Sequence, residues 1–285
     1  MEVFIIAAVV GVGVGILSGL LGIGGGVIMV PLFRLGFGLE AIAATATSLF
    51  TIIPTSVSGM VKHARNKTSV PKIGAVCGLF GACLSPVGVW AANISPDWLI
   101  MAVAAVIIAY SAVTMLSKAI KSPKRAGGSK KGHADGPGKN EEHLSTEEVP
   151  ERAFVASFRF TPALIAKTAA IGIFAGFMSG YVGVGGGFVM VPLFISLLGV
   201  PMKLASGTSL TAVCILAVPG VIEQALLGNV DFAIGIAMAV GSIPGAVVGA
   251  NLVKRIPERT LRIFFACFLA VVAVVLVLNE VGVLA

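Results

Sequence analysis

Ser18-Gly-Leu-Leu-Gly-Ile-Gly-Gly-Gly-Val-Ile-Met-Val-Pro-Leu-Phe33 recurs in the same chain as Ser179-Gly-Tyr-Val-Gly-Val-Gly-Gly-Gly-Phe-Val-Met-Val-Pro-Leu-Phe194, identical at eleven of sixteen positions and displaced by 161 residues. Each copy sets three consecutive glycines inside an apolar run where a membrane helix would otherwise continue. Glycine is the residue least suited to hold a helix and the one that lets backbone approach another group closely. Paired interruptions of this kind in two halves of a hydrophobic chain point to a transporter binding site.

Working outward, the repeat continues without a gap. Ala44-Thr-Ala-Thr-Ser-Leu49 aligns with Ala205-Ser-Gly-Thr-Ser-Leu210, and Gly59, Gly74, Gly88 and Pro96 align with Gly220, Gly235, Gly249 and Pro257. The chain is therefore a duplication. Hydrophobic residues make up 57% of it and charged residues only 12%, with mean hydropathy +1.02. Soluble domains carry about 25% charged residues. Apolar segments fall at about 3–38, 41–61, 70–92, 98–117, 163–199, 203–222, 230–252 and 260–280. Most match the roughly 20 residues that cross a bilayer; the first and fifth are longer and are split by the glycines.

Three regions follow: a first membrane repeat at 1–117, a polar linker at 118–160 and a second repeat at 161–285. The linker mixes Lys, Glu, Gly and Ser, lacks apolar surface to bury and is expected to be disordered. The N-terminus has no basic stretch ahead of its apolar run and reads as a retained first segment. Cys77, Cys83, Cys214 and Cys267 all sit in apolar runs and read as small hydrophobes.

Charge sets the expected orientation. The loop near 62–72 carries Lys62, Arg65, Lys67 and Lys72, whereas its counterpart near 223–231 carries Glu223 and Asp231 and no base. The loop at 93–98 has no base, whereas its counterpart carries Lys254, Arg255, Arg259 and Arg262. Basic loops stay cytoplasmic, so the bias flips between copies, as in an inverted repeat. Inversion needs an odd number of crossings per half. The expected fold is an all-α polytopic membrane protein of two inverted repeats. Each is a Gly-broken re-entrant hairpin plus three spanning helices, with about eight hydrophobic segments and up to ten helices overall. The linker is expected inside and both termini outside.

The glycine triplets, Gly24, Gly25 and Gly26 with Gly185, Gly186 and Gly187, read as loops that each open a helix. Pro31 and Pro192 are expected in or near the first turn as structural or hinge positions. Free N–H groups at such a helix start, with the positive end of its dipole, form an anion site. Thr47 and Ser48, with Thr208 and Ser209, are expected to begin the next helix of each half and to offer hydroxyl donors. Close helix packing is the competing reading for the triplets, and self-bonding to the helix backbone is the competing reading for the hydroxyls. Gly241, Gly245 and Gly249 read as packing, and His63 as interfacial.

Several classes drop out. No nucleotide-binding Gly-x-x-x-x-Gly-Lys-Ser/Thr loop is present. No metal set or nucleophile–base pair can be assembled from the spans, so no enzyme and no cofactor is read. The basic residues serve topology rather than nucleic acid.

The doubled Ser-Gly-x-x-Gly-x-Gly-Gly-Gly-x-x-x-Val-Pro-Leu motif and the Ala-x-x-Thr-Ser-Leu cluster resemble the TauE/SafE sulfite exporter family. The resemblance covers the chain apart from the linker. It implies a secondary carrier in the bacterial inner membrane that exports sulfite or a small organosulfur anion. It carries over to the glycine triplets, Pro31, Pro192, Thr47, Ser48, Thr208 and Ser209. The partners expected are this anion and the lipid bilayer. An anion channel, a carboxylate carrier and a membrane sensor are the alternatives. Substrate, direction and oligomeric state are open in the sequence; the coupling ion is open too, with a proton riding on the substrate as the conjecture.

Overall fold

The computed structural model describes residues 2–121 and 161–280; of the linker expected at 118–160, the first four residues continue the helix that ends at Lys121, and 122–160 lie outside the described residues. Ten helices and no strand occur among the described residues. They are α1 (Glu2–Leu21), α2 (Gly26–Phe37), α3 (Ala41–Arg65), α4 (Pro71–Asn93) and α5 (Asp97–Lys121), then α6 (Pro162–Val182), α7 (Gly187–Leu197), α8 (Met202–Leu226), α9 (Phe232–Leu252) and α10 (Glu258–Glu280). Eight are long and apolar enough to cross a membrane, while α2 and α7 are shorter. The all-helical polytopic class expected from the sequence is what is found.

Glycine stripes set the main pairings. Gly11, Gly15 and Gly19 of α1 lie against Met238, Ser242 and Ala246 of α9, so these helices run parallel. Gly172, Gly176 and Gly180 of α6 lie against Cys77, Gly81 and Ser85 of α4, again parallel. The 161-residue displacement carries one trio onto the other. A Cβ at any of the six would overlap a backbone carbonyl of the partner helix. Small residues are what bring membrane helices this close, where no hydrophobic effect drives them together. Gly241, Gly245 and Gly249 face the backbone of α1 in the same way, as their spacing implies.

The remaining crossings orient the core. α3 runs parallel to α9, since Thr51 Oγ1 donates to the Gly235 carbonyl and Asn66 Nδ2 to the Ala250 carbonyl. α4 runs parallel to α8, with Gly74, Gly78 and Gly81 against Thr208, Ala212 and Leu216. α3 and α8 cross antiparallel, with Gly59 on Leu210 and Gly220 beside Leu49. Thus α1, α3 and α9 point one way, and α4, α6 and α8 the other. α5 and α10 pack on each other, with α7 against α5 and α2 against α10.

These directions sort the loops. Asn66 also donates to Asn251 Oδ1 at 3.2 Å, which sets the basic turn after α3 beside the basic turn after α9. At the other end Asn229 donates to Asn93 Oδ1 at 3.2 Å and joins the two base-free turns. Trp90 and Trp98, both exposed, flank one of these turns; tryptophan favours the headgroup level.

The chain from α1 to α2 forms a hairpin with unequal legs. α1 has 20 residues, about 30 Å of helix, whereas the 12 residues of α2 make about 18 Å. α2 ends just before α3, and α3 points the same way as α1, so the α1–α2 unit begins and ends at one end of the molecule. One leg of the hairpin is therefore itself of spanning length.

Two local expectations are corrected. α2 begins at Gly26, so Pro31 lies in its second turn, where its missing N–H leaves the Val27 carbonyl without its helical donor; Pro192 does the same in α7. The Thr-Ser clusters do not start their helices either. α3 begins at Ala41 and α8 at Met202, one turn or more upstream.

Candidate functional site

The two glycine loops meet at mid-depth. A Cβ at Gly24 or Gly185 would touch the same two side chains, Ile52 and Val213. Each of these is the twelfth residue of a 25-residue helix, α3 or α8. Gly26 lies against the Val184 carbonyl, where an added Cβ would come to 2.5 Å, and Gly187 lies against the Gly22 carbonyl, at 2.7 Å. The first residue of α2 and that of α7 thus each pack on a carbonyl of the other half's glycine loop.

The local backbone explains the shape. Gly25 caps α2 with φ 89° and Gly186 caps α7 with φ 69°, values that L side chains seldom adopt. The caps work through their carbonyls: Gly25 O accepts from Ile28 and Met29, and Gly186 O from Val189 and Met190. The loop amides fare differently. Among the described residues, no acceptor takes the N–H groups of Gly24, Gly25 and Gly26, or of Gly185, Gly186 and Gly187. All six residues are buried. Buried amides without acceptors are rare in folded proteins. Here they sit at two helix N-termini, where the dipole favours negative charge.

The expected hydroxyls divide. Thr208 Oγ1 accepts the Val70 N–H at 2.9 Å, and Thr47 Oγ1 accepts the Asp231 N–H at 2.9 Å. Val70 and Asp231 are the N-caps of α4 and α9. Both threonines therefore hold a helix start of the opposite half. Ser209 Oγ donates to the Gly22 carbonyl at 2.6 Å and anchors the first loop to α8. Ser48, its counterpart, is fully buried and its hydroxyl has no partner. Of the four expected hydroxyls, Ser48 alone is left uncommitted.

Ser18, absent from the expected set, joins it, and Ser179 is its counterpart in the second copy. Ser18 and Ser179, in the last turns of α1 and α6, are fully buried with unpartnered hydroxyls. A Cβ at Gly25 would lie 3.6 Å from Ser18 Cβ, which puts this serine beside the loop amides. The signal was available: these serines open both copies of the motif.

His63 is buried rather than interfacial. Its Nε2–H donates to the Gly19 carbonyl at 2.8 Å, and Nδ1 pairs with Thr68 Oγ1 at 2.8 Å. Its counterpart Gln224 accepts from Asn229 Nδ2 at 2.7 Å, and Asn229 is the counterpart of Thr68. Both halves therefore pair these two positions through different side chains, but Gln224 Nε2 has no partner where His63 Nε2 reaches Gly19. A separate open groove of 380 Å³ between α2 and α10 is lined by aliphatic residues, Gly36 and Pro31, and includes no other expected site residue.

Comparison with known proteins agrees with the architecture. Residues 7–276 match the family model described as "Sulfite exporter TauE/SafE". The chain is 29% identical to a "Probable membrane transporter protein", YdhB, of Bacillus subtilis, over 87% of this chain and 89% of that one. It is 24% identical to a protein of the same description from Methanocaldococcus jannaschii, over 95% and 94%. A "Sulfite exporter TauE/SafE family protein 3" of Arabidopsis thaliana is 33% identical over 34% of this chain and 20% of its own length. No solved structure matches.

Proposed function

We propose, for a chain that belongs to the sulfite exporter TauE/SafE family and is thereby a membrane transporter, that its cargo is a small sulfur oxyanion or sulfonate, carried by alternating access. The observation that carries this reading is the pair of glycine loops. They bring six buried amides without acceptors, and two helix N-termini, to one contact at mid-depth. Only a negative or strongly hydrogen-bond-accepting guest would satisfy that set. Ser18, Ser48 and Ser179 add three hydroxyls able to donate. Gly24, Gly25, Gly26, Gly185, Gly186 and Gly187 thus remain the binding residues. Thr47, Thr208 and Ser209 act by fixing the frame around them.

In this mechanism the two halves are inverted copies. Supporting this, α1, α3 and α9 point opposite to their sequence counterparts α6, α8 and α4, and both basic turns gather at one end. Basic turns face the cytoplasm, which puts the linker inside and both termini outside, in a bacterial inner membrane. Rocking one half against the other exposes the loops first to one face and then to the other. The loops hold the anion in both states, because each half brings an equivalent set of amides.

The test is flux and thermal shift across sulfite, sulfate, thiosulfate, sulfoacetate and acetate, with wild type beside a Gly25→Leu, Gly186→Leu double variant. Saturable exchange of a sulfur anion, lost in the variant, is expected. Equal behaviour of the two proteins would remove the glycine loops from the mechanism. Non-saturable flux would make the protein a channel.

A further inference from the structure

Ser18 and Ser179 raise a question that one central site does not answer. A serine inside a membrane helix ordinarily bonds a carbonyl of its own preceding turn. Ser56, Ser117, Ser196 and Ser206 do so here. Ser18 and Ser179 do not, although both are fully buried. They occupy the same position in the two copies. The Ser18 carbonyl takes the Gly22 N–H at 2.8 Å and the Ser179 carbonyl takes the Gly183 N–H at 2.9 Å. Each serine is therefore fixed to the turn from which its glycine loop departs.

Their depths differ. The residue after Ser18, Gly19, gives its carbonyl to His63, in the last turn of α3 and next to the basic turns. The residue after Ser179, Gly180, packs on Ser85 and Val89, near the end of α4 and the base-free turns. Between these levels Gly24 and Gly185 meet at Ile52 and Val213.

We infer that the anion site is two half-sites, one per glycine loop, in which Ser18 is the hydroxyl donor met from the basic face and Ser179 the donor met from the opposite face. This rests on the transport reading above. Each half-site combines a serine hydroxyl with the unbonded amides of one helix N-terminus. The anion passes from one to the other across the seam where Gly26 packs on the Val184 carbonyl and Gly187 on the Gly22 carbonyl, and exchanges one donor set for an equivalent one. Such a pathway demands oxygens pointing in several directions, so that the second set engages before the first lets go. A pyramidal or tetrahedral head group, as in sulfite or a sulfonate, meets that demand.

Sided kinetics test it. The full-length chain is reconstituted in proteoliposomes of determined orientation, with sulfite and sulfoacetate as probes. Removing one hydroxyl donor to an anion is expected to weaken entry from its own face about tenfold. Ser18→Ala therefore raises KM for entry from the basic face and leaves KM from the other face within about twofold, and Ser179→Ala does the reverse. Ser18→Cys and Ser179→Cys, which keep a small polar group and lose most of the donor strength, repeat the pattern if an alanine variant does not fold. Equal KM changes from both faces, or a fall in maximal rate alone, would overturn the half-sites and leave the transport reading standing. Absence of saturable flux of either probe in wild type would overturn both.

Discussion

Thr208 Oγ1 accepts the Val70 N–H across 2.9 Å, so a side chain of the second half holds the amide of the residue that leads into α4 in the first. Thr47 repays the contact at Asp231, at the same 2.9 Å. Thr47→Val and Thr208→Val each remove an acceptor and leave a buried N–H unpaired. Each is expected to cost about 1–2 kcal/mol of stability. Thr→Ser at either site keeps the oxygen and most of the stability. Denaturation in detergent checks the order of the three proteins at each position.

The loop contact gives a sharper contrast between two glycines. At Gly26 a methyl group would come to 2.5 Å from the Val184 carbonyl, whereas at Gly13 it would meet nothing within 4 Å. Gly26→Ala, and likewise Gly187→Ala, should abolish anion flux by forcing the loops apart. Gly13→Ala should leave flux within about twofold and stabilise α1 by up to about 1 kcal/mol through helix propensity. Matched liposome flux assays decide it.

The stripes predict a folding defect rather than a transport defect. Gly15→Val drives a branched side chain into the Ser242 backbone. Close-packed membrane helices have no slack for it. The variant should lose its monodisperse peak in size-exclusion chromatography. Gly13→Val on the open face of the same helix should keep it.

Orientation is checked by labelling. Lys67 and Lys254 lie at the end where Asn66 meets Asn251, and Ile94 and Leu227 lie at the end where Asn93 meets Asn229. All four are exposed. With Lys67→Cys or Lys254→Cys, an impermeant thiol reagent should label only opened cells. With Ile94→Cys or Leu227→Cys it should label intact cells. The Lys67 and Leu227 variants labelling from one side would end the inverted arrangement.

His63 ties α1 to the α3–α4 turn, through Gly19 on one side and Thr68 on the other. His63→Ala should cost about 2–3 kcal/mol, from two lost hydrogen bonds and a buried void. His63→Gln should recover part of it, because Gln224 already fills the equivalent corner of the second half. Thermal melts of the three proteins give the comparison.

The sequence by itself determined the duplication, the membrane class, the ten-helix outline and the two places where helix gives way to loop. It could do so because these are local or periodic properties: apolar runs of bilayer length, glycines that refuse a helix, and charges that sort by face. It also exposed the six glycines, since a triplet inside an apolar run is anomalous wherever it occurs. Only the tertiary structure decided which hydroxyls are committed. Thr47 and Thr208 share a motif with Ser48 and Ser209, yet three of the four are bound to backbone of the opposite half, more than 130 residues away. Ser18 looks like an ordinary helix serine until the first glycine loop folds back beside it, and Ser179 holds the same position in the other copy. A donor becomes available or spent only when its neighbours arrive, and in this chain those neighbours come from the other copy.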